Sequence, residues 1–208
     1  MKPLTTKEDL QLASRTLSFA VEPEMAGGIL CGLTDRSVSR RSVDSSMLLT
    51  EVDGKTKDGL TVNASVLTFR DYPAVRVDAV LYNQTSMPCK PASVCLPDME
   101  FCGSNPCILQ NGAASEIHEE NMIETTADCL IRTEEKTLSV RTTGKIRIRR
   151  SPCGFLLQVS ADCPALHPND AYSLPPVFLM ISAGGEEHMQ ALLSKWGVEH
   201  GTTYIPAD

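Results

Sequence analysis

The stretch that most constrains this chain runs from Leu60 to Ser86, LTVNASVLTFRDYPAVRVDAVLYNQTS, where two alternating apolar runs flank a turn. Leu60, Val62, Ala64 and Val66 point one way along the first run, and Val75, Val77, Ala79 and Leu81 do the same along the second. A period of two is the signature of a strand with one buried face. Between the runs Pro73 fixes its own φ and drives Tyr72 out of the helical region, so the chain reverses at Asp71-Tyr72-Pro73. The segment is a β-hairpin, and it sets the expectation for the rest of the chain.

The same period recurs downstream. Thr137 to Arg150 reads as a second hairpin: Leu138 and Val140 alternate inward, Thr143-Gly144 turns, and Ile146 and Ile148 alternate with Lys145, Arg147 and Arg149. GFLLQVSA pairs next, and VFLMISA is a fully apolar strand. Upstream, residues 1–12 read as a polar lead-in and SRTLSFAVEP as a first strand ending at Pro23. TDRSVSRRSVDSS reads as a polar loop, and β-type text resumes from Ser46, with Asp53-Gly54 and Asp58-Gly59 as turns. Met87 to Pro106 holds four prolines and is expected to be a long ordered loop crossing the sheet edge.

One helix is written clearly, from Gly185 to Trp196. Met189, Leu192, Leu193 and Trp196 fall at helical spacing, Glu186 and Glu187 open it, Lys195 closes it and Gly197 is expected to stop it. The chain therefore divides into residues 1–183, a β domain, and residues 184–208, a helix and connector. The single tryptophan lies on the apolar stripe, where packing is a commoner role than sugar stacking.

A formal charge of −7 argues against a nucleic-acid partner or an anionic membrane surface. No apolar run approaches the roughly 18 residues of a membrane span, and the opening segment has no signal-peptide core; a cytoplasmic location is expected. On that compartment rule the eight cysteines, Cys31, Cys89, Cys95, Cys102, Cys107, Cys129, Cys153 and Cys163, are read as free thiols rather than disulfides. Two sequons, at Asn63 and Asn83, matter only in a glycosylating route.

Chemistry is weakly signalled. The cluster from Cys89 to Cys107 contains no C-x-x-C pair of the kind that lets two thiolates bind zinc from one turn. His118, His167, His188 and His200 are scattered and form no H-E-x-x-H; no G-x-S-x-G elbow and no phosphate loop is present. Glu116, Glu119, Glu120 and Glu124 form a local acidic run. Retaining glycosidases instead place two carboxylates roughly 5 to 5.5 Å apart on separate elements, so the run is read as a solvated face. The basic residues Lys145, Arg147 and Arg149 would be the wet face of a strand that meets it.

DYPAVRVDAVLYNQTS resembles a phrase of the N-terminal β-sandwich of α-galactosidase-like glycoside hydrolases, families 27 and 36. CILQNGAASEIHEEN is similar to a strand, turn and acidic stretch of that domain, and YSLPPVFLMISAGGEEHMQALLSKWG to its last strand and the helical connector that precedes the barrel. The resemblance implies a mainly β fold, an antiparallel sandwich of the supersandwich type with a short C-terminal helix. It also implies a role: packing on a catalytic (β/α)8 barrel, shaping a wall of its carbohydrate cleft and making oligomer contacts. A barrel alone takes about 250 residues, and the family's catalytic carboxylates sit on barrel strands this sequence does not contain. No catalytic residue, cofactor or metal is therefore carried over, and glycoside hydrolysis is implied only alongside a barrel. The alternative is a stand-alone carbohydrate- or protein-binding sandwich, for which five Phe, four Tyr and one Trp are a thin supply of stacking rings.

Overall fold

The computed structural model of the protein describes residues 5–20, 22–91, 94–110, 113–118, 121–126 and 128–200. In chain order the elements are α1 (Lys7–Thr16), β1 (Thr34–Ser42), β2 (Met47–Lys55), β3 (Thr61–Phe69), β4 (Ala74–Tyr82), β5 (Cys95–Cys102), β6 (Cys107–Gln110) and β7 (Ala113–Glu116). They continue with β8 (Ile123–Thr125), β9 (Cys129–Arg132), β10 (Thr137–Thr142), β11 (Lys145–Ser151), β12 (Gly154–Ser160), β13 (Ala171–Ser173), β14 (Val177–Ser182) and α2 (Glu186–His200). Two sheets result, one ordered β1-β2-β3-β4-β14-β10-β9-β6-β7 with β13 also on β4, the other β5-β12-β11-β8. All their pairings are antiparallel. The expected class stands: a mainly β antiparallel sandwich with a C-terminal helix.

The opening hairpin forms as its alternation requires. β3 and β4 pair from Thr61↔Tyr82 to Thr68↔Val75, and Val62, Ala64, Val66, Val75, Val77, Ala79 and Leu81 all enter the inter-sheet core. From the small sheet Ile146, Ile148, Phe155, Leu157 and Val159 meet them. The outer face of the large sheet buries a second cluster against α2. β14, central and sandwiched between the two clusters, is buried at every position, which explains its unbroken apolar text.

Several expectations are corrected. The N-terminal text is a helix, not a lead-in followed by a strand: Thr6 and Asp9 form a capping box, Glu8 and Asp9 fill the first turn and Arg15 the last. Short 3-10 turns at Ser18–Ala20 and Pro23–Ala26 follow, delivering Leu17 and Phe19 to the core. The arginine-rich polar loop is strand β1, exposed at all its positions and paired with β2 from Thr34↔Lys55 to Ser42↔Leu48. An edge strand wet on both faces has no alternation to read, and its charges discourage pairing with another chain. β2 runs straight through Asp53-Gly54; only Asp58-Gly59 turns, with Gly59 at φ +85°.

The Pro-rich stretch is a loop only in part, because β5 occupies its second half. Pro97 is tolerated there since β5 is an edge strand, and its pairing with β12 shifts register between Gln158 and Ser160. Thr137 to Arg150 turns at Thr143-Gly144 but is not a hairpin: β10 joins β9 and β14 in one sheet, while β11 joins β8 and β12 in the other. Gly144 permits this corner, since a Cβ there would lie 3.0 Å from both Pro175 and Val159. Helix α2 continues past Gly197 to His200. Among the described residues no helix is long and apolar enough to cross a membrane.

Candidate functional site

The main concavity bearing charged groups is a cleft of about 560 Å³, lined by Asn105, Cys107, Glu116, His118, Arg132 and Arg150 among others. Strand pairing builds one wall: Glu116 on β7 opposes Cys107 on β6, which opposes Arg132 on β9. The two charged side chains thus share a row about 9–10 Å across, two strand spacings, with the buried Cys107 between them. Arg150 comes from the end of β11 in the other sheet, so the cleft lies at the sandwich rim. Asn105, at φ +48°, donates Nδ2 to Glu134 Oε1 at 2.6 Å and shapes the edge. Neither Arg132 nor Arg150 is ion-paired among the described residues.

This arrangement can bind but is poorly equipped to hydrolyse. Two guanidinium groups offer forked donors to a carboxylate or to clustered hydroxyls. Among the described residues Glu116 is the only carboxylate in the lining, so no second carboxylate at the spacing of glycoside hydrolysis is found there among them. A second depression on the outer face of β2, β3 and β4 does hold three carboxylates, Glu51, Asp53 and Asp78. Each is engaged: Asp78 accepts two bonds from the Arg76 guanidinium, both at 2.8 Å, Asp53 accepts from Asn63, and Glu51 lies 3.4 Å from Arg41. That surface is a sheet face whose carboxylates are all held by neighbouring side chains.

The residues weighed from sequence scatter over the fold. In the acidic run Glu116 joins the cleft, whereas Glu124 on β8 binds Arg147 at 2.8 Å and Lys145 at 3.4 Å, the meeting of acidic and basic stripes expected from their sequence. The Arg147 hydrogen bond outweighs slight burial and holds the Glu124 carboxyl below its usual range. Glu119 and Glu120 lie outside the described residues. The cysteine cluster opens out along the chain, with Cys95 and Cys102 at opposite ends of β5 and Cys107 starting β6. Asn83, one of the sequon asparagines, is fully buried and spends its amide on the carbonyls of Met87 and Leu166, each at 2.8 Å.

Trp196 is a packing residue. It is fully buried against Phe69, Tyr72 and Phe178, with ring centroids 4.3, 5.0 and 5.1 Å away, and His200 covers it at 4.2 Å. The Tyr72 hydroxyl donates to Glu199, tying the last turn of α2 to the β3–β4 turn. Burial, followed by that carboxylate, raises the phenol far above its ordinary value.

Sequence reasoning missed the buried polar node at Asp9. One carboxylate oxygen accepts from Ala183 N at 2.8 Å and Ser182 Oγ at 3.2 Å; the other accepts from Thr6 N at 2.9 Å and lies 2.9 Å from His188 Nε2. The node locks α1, the end of β14 and the start of α2 together. Burial opposes ionisation, but the His188 bond and the amides outweigh it and keep Asp9 below the ordinary aspartate range. Its sequence signal was the T-x-x-D of the capping box.

No protein-family model and no curated protein matches the chain at a significant level. Solved structures do. The GH36 α-galactosidase AgaA of Geobacillus stearothermophilus, in complex with raffinose, matches 77% of this chain with a TM-score of 0.57 and 9% identity. The galactosidase domain of the α-galactosidase-sucrose kinase AgaSK matches 77% with a TM-score of 0.59 and 8% identity. The fold is the sandwich of α-galactosidases. The chain spans 29% of the length of each of these two proteins. A putative aldose 1-epimerase of Klebsiella pneumoniae also shares the fold, with 80% of this chain and 58% of that one matched, a TM-score of 0.54 and 7% identity. At these identities the likeness is one of architecture, and it agrees with the sandwich expected from the hairpin wording.

Proposed function

We propose that this chain is an accessory N-terminal β-sandwich domain of the α-galactosidase type, which packs on a catalytic (β/α)8 barrel, helps form the wall of its carbohydrate site and is not catalytic alone. The observation that carries this reading is the match of 77% of the chain to a portion amounting to 29% of GH36 α-galactosidases. Residues 1–183 would be the sandwich and 184–208 the helix and connector toward the barrel. The rim cleft supports a supporting role: Arg132, Arg150 and His118 can contact a hydroxyl-rich ligand or a neighbouring domain, and among the described residues no carboxylate pair faces it. A cytoplasmic setting belongs to the reading.

The competing role, a stand-alone carbohydrate-binding module, would call for rings presented to solvent. Among the described residues every Phe and the Trp are buried, as is Tyr72, while Tyr82 and Tyr172 are half-buried. Calorimetric titration of the isolated chain with raffinose, run beside an aryl α-galactoside turnover assay, separates the two. The accessory-domain reading predicts no turnover and no saturable binding below about 1 mM, an affinity of roughly −4 kcal/mol. Micromolar binding abolished by Arg132→Ala would instead establish a free-standing sugar module, and turnover would refute both.

A further inference from the structure

We infer that Cys102 and Cys153 form a reversible disulfide, a modification site on the exposed edge of the small sheet. The two thiols are far apart in sequence, yet both sit at one end of the β5–β12 pairing. Cys102 ends β5 directly opposite Gly154, the first residue of β12, and Cys153 occupies the β11–β12 turn immediately before it. The next backbone step keeps them together, since Gly103 N donates to the Cys153 carbonyl at 2.9 Å. Gly154 lets the backbones close in: a Cβ there would lie 2.3 Å from the Phe101 carbonyl oxygen. Cys153 thus lies one residue off the directly opposed position, diagonal to Cys102 across the end of the β5–β12 ladder.

The thiols themselves meet. A side-chain hydrogen bond joins Cys102 to Cys153, and both residues are exposed, so a small oxidant reaches them. Lys136 lines the same depression as Cys102, while Glu100 lies beside Cys153 and raises its thiol. The carboxylate disfavours a thiolate at Cys153, which leaves Cys102 as the attacking sulfur. Cys89 and Cys163 form a contrasting couple. They too occupy neighbouring loops, but Cys89 Sγ turns to the Asp58 carbonyl at 3.7 Å and Cys163 Sγ to that of Pro164 at 3.5 Å.

The oxidant is a low-molecular-weight disulfide such as oxidised glutathione. The Cys102 thiolate attacks one of its sulfurs, forming a mixed disulfide and expelling one glutathione thiolate. Cys153, losing its proton, then attacks the Cys102 sulfur and expels the second. Two protein thiols are oxidised, one glutathione disulfide is reduced to two thiols, and the two protons end on the released glutathiones. Excess reduced glutathione reverses each step, the behaviour of a redox-responsive pair in a reducing compartment. The bond would fasten edge strand β5 to the β11–β12 turn.

The test incubates the full chain in graded ratios of oxidised to reduced glutathione, quenches with acid, and counts thiols after denaturation. The inference predicts a step to two fewer than the eight thiols of the sequence, one cross-linked peptide pair joining Cys102 to Cys153, and no retained glutathione. It also predicts a melting temperature higher by roughly 5–10 °C, the shift expected of a disulfide closing a long loop in a domain of this size. Cys153→Ser should stop at the Cys102 mixed disulfide, whereas Cys31→Ser should leave the cross-link intact. Eight persistent thiols, stable glutathionylation of wild type at both positions, or a cross-link between any other two cysteines would overturn the assignment. None of these readouts depends on the carbohydrate role proposed above.

Discussion

At the scale of single residues, Asp9 does more for this fold than its place in a polar N-terminal segment announces. Its carboxylate answers two backbone amides, two hydroxyls and the His188 ring while fully buried. Asp9→Ala would strand the Ala183 amide and dissolve the capping box, at a cost of roughly 2–3 kcal/mol, measurable by urea denaturation. The pH dependence has a definite sign. Because the folded-state pKa of Asp9 lies below its unfolded value of 3.8, its stabilisation is complete above that value and is lost as pH falls through the lower folded one. Asp9→Asn should therefore be less stable than wild type at pH 7 and show a shallower loss between about pH 5 and pH 2. Equal slopes would mean that the carboxylate is not charged in the node. The sequence held the clue in Thr6-Lys7-Glu8-Asp9, but nothing local says that a capping aspartate will also be buried by a strand end more than 170 residues away.

At the scale of elements, α2 is the clearest case of a segment legible from its stripe. Met189, Leu192, Leu193 and Trp196 are all buried where the spacing puts them. Trp196→Ala should cost roughly 3–5 kcal/mol, the range for a large buried aromatic, and wild-type emission should be blue-shifted and resistant to iodide. Red-shifted, freely quenched emission would mean that the helix does not dock. The strands divide by the same logic. β3, β4, β12 and β14 were readable because one or both faces are dry, and burial writes alternation or an apolar run into the text. β1 was not, because it is wet on both sides and its strand character comes only from pairing with β2. β10 and β11 were recognised as strands but joined wrongly: a tight turn at Thr143-Gly144 looks the same whether the strands pair or part into two sheets, and that choice belongs to β9, β14, β8 and β12. β5 was hidden by Pro97, which an edge position tolerates. The rim cleft was illegible for a related reason, since Glu116, Arg132 and Arg150 come together only through strand order and the contact between sheets.

At the scale of the whole molecule, the chain is organised around two well-buried clusters, one between its sheets and one under α2. Among the described residues its charged cleft has cations and one carboxylate, and on its three-carboxylate face two carboxylates pair with arginines and the third accepts from an asparagine. The decisive measurement is native mass spectrometry of the protein isolated from its own source, with aryl α-galactosidase activity assayed on the same fraction. The account predicts that the sandwich emerges covalently continuous with, or in stoichiometric complex with, a catalytic barrel, and that activity follows that species. A monomer with the mass of this sequence alone, binding raffinose and accompanied by no barrel, would contradict it.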